Sequence, residues 1–106
     1  MNYNLQLNYE GFEDCYITHG LRLDGIQYIF RFDNDYGASV VKNKGSFGHK
    51  SDLWELAVIQ FDATGDYSLV YDTAITDDVI GHLTDEEVCW YLGRIRELPK
   101  CALISH

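Results

Sequence analysis

The sequence predicts an α+β fold: an antiparallel β-sheet of about five to six strands with a C-terminal α-helix packed on one face. Three observations carry that expectation. The first two-thirds of the chain alternates apolar and polar residues in short runs. One of those runs contains an Asp-Gly step suited to a hairpin. From Thr84 onward the period changes to that of a capped amphipathic helix. At 106 residues the chain has the length of one core, so 1–106 is read as a single α+β domain.

Residues 3–9 alternate, with Tyr3, Leu5, Leu7 and Tyr9 on one side and Asn4, Gln6 and Asn8 on the other, and are read as a half-buried strand. Gly11 interrupts the pattern, and Cys15 to Ile17 is a candidate short strand. Leu21 to Phe32 reads as a hairpin turning at Asp24-Gly25, because Gly tolerates the positive φ of a tight turn. Tyr28, Phe30 and Phe32 then share one face, with Ile29 and Arg31 on the other. Asp33 to Gly37 is a second turn, and Ala38 to Val41 returns as a strand.

Lys42 to Lys50, with Gly45, Ser46 and Gly48, reads as a flexible loop. Leu53 to Phe61 is apolar on nearly both faces, as a central strand covered on both sides would be. Asp62 to Asp66 turns the chain and Tyr67 to Tyr71 pairs back. Thr76-Asp77-Asp78 is read as the start of a short helix stopping at Gly81. Thr84 then caps the main helix, Glu87 completes a capping box, and Leu83 and Val88 stand where a hydrophobic staple forms. Val88, Tyr91, Leu92, Ile95 and Leu98 make the buried stripe, and Pro99 ends it.

Charge narrows the function classes. The formal net charge is −9, which repels phosphates and anionic lipid and argues against direct nucleic-acid or membrane binding. Between Ser51 and Gly93 stand Asp52, Glu55, Asp62, Asp66, Asp72, Asp77, Asp78, Asp85, Glu86 and Glu87, without one Lys or Arg. Five of these acids lie at expected helix N-termini, where the dipole favours them. The interruption-free run itself is not explained that way. It suggests an electronegative surface able to meet a basic site on another protein.

Chemistry is sparse. Asp33-Asn34-Asp35-Tyr36-Gly37 lacks the Gly and bidentate Glu of an EF-hand loop, having Ala38 and Lys44 at those places. Cys15, Cys89 and Cys101 are odd in number and widely spaced, which suits reduced and mostly buried thiols. His19, His49, His82 and His106 show no ligand spacing, and Gly45-Ser46-Phe47-Gly48 is not a phosphate loop. No catalytic residue, metal or cofactor is expected. No apolar run reaches membrane length, and Asn2 to Asn8 is unlike a signal peptide, so a cytoplasmic location is expected.

Trp90 points away from the buried stripe, with Glu86, Arg94 and Glu97 beside it. It either lies under Arg94 along its own helix or serves as an aromatic anchor for a partner.

Three segments, Asp35-Tyr36-Gly37-Ala38-Ser39-Val40-Val41, Leu53-Trp54-Glu55-Leu56-Ala57-Val58-Ile59 and Tyr71-Asp72-Thr73-Ala74-Ile75-Thr76-Asp77-Asp78-Val79-Ile80-Gly81, resemble small acidic proteins encoded by bacteriophages and prophages. The resemblance runs over about Phe32 to Leu98. It implies a context, the host cytoplasm, and a way of acting, by binding and blocking a host protein such as a nucleic-acid-handling defence enzyme. It implies no activity and transfers no site.

The leading expectation is therefore a non-enzymatic interaction protein that binds a basic partner through Trp90, Glu86, Arg94, Glu97, Asp72, Asp77, Asp78 and Asp85. An alternative is a small ligand-binding or enzymatic domain lined by Tyr36, Tyr71, Asp72, Thr73 and Asp77. A phage structural or assembly component is a third reading, and self-association is left open.

Overall fold

The computed structural model describes residues 6–22, 25–42, 52–70 and 79–99. Among them are six strands and one helix: β1 (Tyr16–Arg22), β2 (Gly25–Arg31), β3 (Tyr36–Lys42), β4 (Trp54–Phe61), β5 (Tyr67–Leu69), β6 (Ile80–Leu83) and α1 (Asp85–Arg96). The strands form one antiparallel sheet in the order β1-β2-β3-β4-β5, with β6 also on β4. The expected α+β architecture, with its C-terminal helix packed on the sheet, is present.

The alternation in β2 sorts side chains to two faces. Tyr28, Phe30 and Phe32 join Ala38, Val40, Trp54, Leu56 and Val58 in the main core, under Val88, Leu92 and Ile95 of α1. On the opposite face Ile29, Ile59 and Phe61 form a smaller cluster that receives no residue of α1. β4 thus contributes to both clusters, as its apolar run suggested. Gly37 is required where β3 enters the sheet. A Cβ there would lie 2.0 Å from the Phe30 carbonyl oxygen and 2.7 Å from the Phe61 ring.

Several sequence expectations need correction. Residues 6–9 form no strand, although Leu7 is buried and Gln6 and Asn8 are exposed. The segment keeps a strand's alternation because it lies on the core, but its amides go to side chains. The Leu7 N–H donates to the Tyr28 hydroxyl at 3.3 Å and the Asn8 N–H to Asp85 Oδ2 at 3.1 Å. The first hairpin pairs Arg22 with Gly25, so Gly25 begins β2 instead of sitting in the turn. Positions 23–24 lie outside the described residues.

Lys42 is not in a loop. It ends β3 at 1% exposure, where its ammonium meets Asp52 at 3.1 Å and lies 4.2 Å from the Trp54 ring centroid. A carboxylate and an aromatic face together make a buried cation tolerable.

No short helix ends at Gly81. Ile80 and Gly81 belong to β6, which pairs with Trp54–Leu56, the part of the β4 edge that β5 leaves open. Satisfying those backbone groups outweighs local helix preference. β6 is irregular, with His82 at φ 62° beside a register shift. The expected start of that helix at positions 76–78 lies outside the described residues, as does Tyr71 from the expected β5.

Candidate interaction site

α1 is the element the sequence dictates most directly. The Glu87 N–H donates to the Thr84 hydroxyl oxygen at 3.2 Å, and the Thr84 N–H donates to the Glu87 carboxylate at 3.0 Å, completing the capping box. Leu83 and Val88 are both buried in the main core, as a staple requires. Tyr91 is half-buried at the edge of the stripe, but α1 stops at Arg96, so Leu98, expected in the stripe, lies beyond the helix, half-buried against the core.

Both ends of α1 are fastened to the sheet by buried or half-buried polar groups. At the start, Asp85 accepts from the Trp54 indole N–H at 2.7 Å as well as from Asn8. At the end, the Asn34 amide nitrogen donates to the carbonyls of Ile95, Arg96 and Leu98 at 2.9, 3.3 and 3.0 Å. A helix terminus leaves its last carbonyls short of intrahelical donors, and that of Ile95 accepts from the Leu98 N–H as well, at 3.1 Å. The Asn34 side-chain oxygen accepts from the Tyr36 N–H at 3.0 Å, so a residue of a β-turn serves as a distant C-terminal cap.

The outer face of this fixed helix carries Trp90, 57% exposed. The Arg94 guanidinium lies 5.2 Å from its ring centroid, and Tyr91 meets it edge-on at 4.9 Å. The stacking under Arg94 and the exposure of the ring therefore coexist. Glu86 is one turn before Trp90 and Arg94 one turn after, so the three form a row. Glu86 and Glu97 are exposed; Glu97 also caps the helix C-terminus through its own N–H.

Next to that row is a groove of about 270 Å³ lined by Asn8, Glu10, Asp85, Glu86 and Cys89. Its charge comes from two distant stretches of chain. Glu10 and Glu13 of the N-terminal segment act with Asp85 on the Cys89 thiol, raising its pKa beyond what burial alone does. Burial is the larger cause. The Cys89 thiol points to the Asn8 carbonyl oxygen at 3.3 Å and is held protonated at neutral pH, the opposite of a nucleophile's environment. Cys15 is buried, and burial followed by Asp14 raises its pKa as well.

The acids of the Ser51–Gly93 run divide differently. Asp62 and Asp66 cap the β4–β5 turn: Asp62 accepts from the Thr64 and Asp66 N–H groups and from the Thr64 hydroxyl at 2.6 Å. That turn and the start of α1 lie at opposite ends of β4, about 23 Å apart by strand rise. Asp52 is paired with Lys42. Among the described acids of the run, Asp85 and Glu86 reach the groove; Asp72, Asp77 and Asp78 lie outside the described residues. Sequence reasoning missed Glu10 and Glu13, which stand some 75 positions before Asp85 and carry no local signal.

Of the alternative ligand site, Tyr36 is half-buried against the main core, while Tyr71, Asp72, Thr73 and Asp77 lie outside the described residues. Among the described residues no group of His, Cys, Asp or Glu could hold a metal ion, and no helix is long and apolar enough to cross a membrane. The chain matches no family model, no curated protein and no solved structure.

Proposed function

We propose that the protein is a non-enzymatic interaction module that docks the outer face of α1 on a basic surface of another protein. The observation that supports this most is Trp90, an exposed ring braced by its own helix one turn from Glu86, which lines a groove with Glu10 and Asp85. A large aromatic held rigid costs little conformational entropy on binding, and an acidic groove one turn away steers a basic partner. The bacteriophage resemblance supports a host protein as the target, a nucleic-acid-handling or defence enzyme among the candidates, with blocking as the outcome.

The test is capture from host lysate at low and high salt, with Trp90→Ser as the control. The wild-type chain should enrich a basic protein at low salt and lose it as ionic strength rises. Trp90→Ser should reduce that capture at least tenfold while shifting stability by less than about 0.5 kcal/mol. Capture that persists in high salt, or that Trp90→Ser leaves intact, overturns the reading.

A further inference from the structure

A second surface, on the far side of the sheet order from β4–β6, has different physics. β1 is the sheet's long edge, and its backbone direction can be worked out. The Arg31 N–H donates to the Cys15 carbonyl at 2.8 Å, so by the alternation of an antiparallel ladder Arg31, Ile29, Gln27 and Gly25 face β1. Their partners Thr18, Gly20 and Arg22 face back toward β2. His19 and Leu21 therefore turn their N–H and C=O groups outward, with no β-strand beside them among the described residues.

Three features distinguish this edge. From Tyr16 to Leu21 it carries no Asp, Glu, Lys or Arg, in a chain of net charge −9. Charged side chains are the usual way of blunting an edge strand. Leu21, a large apolar side chain, is 81% exposed. Gly20 has an ordinary φ, and no heavy atom lies within 4 Å of where its Cβ would be. Neither backbone conformation nor internal packing calls for glycine there, and glycine weakens a strand. Close approach by another backbone is what such a glycine permits.

We infer that β1 pairs with β1 of a second copy of this chain, antiparallel about a two-fold axis at Gly20. In that register Gly20 faces its own counterpart as the narrow, non-hydrogen-bonded pair, with Cα atoms about 4.5 Å apart. His19 then exchanges backbone hydrogen bonds with Leu21 of the second copy, and Leu21 with His19, four bonds in all. The register shift between Tyr16 and Thr18 limits regular pairing to Thr18–Arg22, whose centre is Gly20. A second copy is favoured over other strands because antiparallel pairing of one segment with itself satisfies two-fold symmetry without further design. From Tyr16 to Arg22 this edge carries no carboxylate, Arg22 being its one Lys or Arg, so it is where two such acidic chains meet with least repulsion. β5, the opposite edge, is three residues long and follows Asp62 and Asp66. So short a contact lies below a standard interface in area, and the dimer is a weak one.

Sedimentation of the full chain from about 1 µM to about 500 µM tests this. Wild type should shift from monomer toward dimer, and added salt should strengthen the shift by screening net charge. Leu21→Pro removes an outward N–H, which an edge strand tolerates, and should stay monomeric with an unchanged circular dichroism spectrum. Leu21→Lys, a substitution of an exposed side chain, should raise the dissociation constant at least tenfold and keeps the test decisive if the proline variant fails to fold. A wild type monomeric throughout, or a dimer that Leu21→Lys leaves intact, overturns the proposal.

Discussion

The two faces of the sheet are built on different terms. On the face under α1, apolar burial is continuous from Leu7 to Ile95, and polar groups fix where the helix sits. Trp54 to Asp85 sets one end and Asn34 to the last carbonyls sets the other. On the open face, Ile29, Ile59 and Phe61 are buried, while Tyr67 and Leu69 beside them remain exposed. The Arg31 guanidinium covers Phe61 at 4.7 Å and pairs with Asp35 at 3.0 Å. Among the described residues, one face is closed by a secondary-structure element and the other by side chains of the sheet itself. Burial alone does not separate them, since Ile59 is as buried as Leu92. What separates them is long-range polar fixation.

That contrast can be broken from its strongest point downward. Trp54→Ala removes a fully buried ring, the donor to Asp85 and the aromatic face beneath Lys42. It should cost about 3–5 kcal/mol by thermal or denaturant unfolding, and a cost near 1 kcal/mol would mean the helix start is held by something else. Asn34→Ala strips the distant cap while leaving the apolar core, and should cost about 1–3 kcal/mol. The loss should fall on the helix end, read as faster amide exchange at Glu97 and Leu98, the amides of the last turn. Equal loss throughout the sheet would refute the capping role.

The smallest effect belongs to Asp62, at the exposed turn beyond the open face. Hydrogen bonds from the Thr64 hydroxyl and the Thr64 amide hold its carboxyl below the usual carboxylate range. A group with a lowered folded-state value stabilises the fold above its unfolded value, and that contribution is lost as pH falls through the folded one. Carbon-detected titration should therefore place Asp62 below an ordinary aspartate, and Thr64→Val should move it back up. An Asp62 indifferent to that substitution would remove the turn from the account.

Legibility in the sequence followed locality. The start of α1 could be read to the residue because Thr84, Glu87, Leu83 and Val88 act on each other within one turn, whereas its end comes at Arg96, before Leu98 and Pro99. The β2 and β3 strands could be read because alternation is a local consequence of the pleat. What escaped depends on partners far along the chain. Residues 6–9 alternate as a strand does, yet become strand only if another edge accepts them, and those amides were taken by Tyr28 and Asp85. Lys42 looks like a loop cation until Asp52 and Trp54 close around it. Asn34 looks like one more turn residue, and only the fold brings three helix carbonyls to its amide. The site follows the same rule. Trp90 was visible from helical period, whereas the groove near it needed Asn8 and Glu10. The described acids of the Ser51–Gly93 run, conspicuous in sequence, divide between the two ends of β4.

The fastening of α1 also orders events in time. Each hairpin of the meander joins neighbours in sequence, so its loops close at small entropic cost and early. The contacts that seat α1 span far more chain: 31 residues from Trp54 to Asp85, 61 from Asn34 to Ile95 and 77 from Asn8 to Asp85. The helix is thus expected to dock after the sheet has formed. Asn8 and Asp85 bring the two acidic stretches together only at that last step. Until it is complete, a nascent chain has Trp90 but not the charged groove one turn away, and the proposed binding face comes into being as a signature of finished folding.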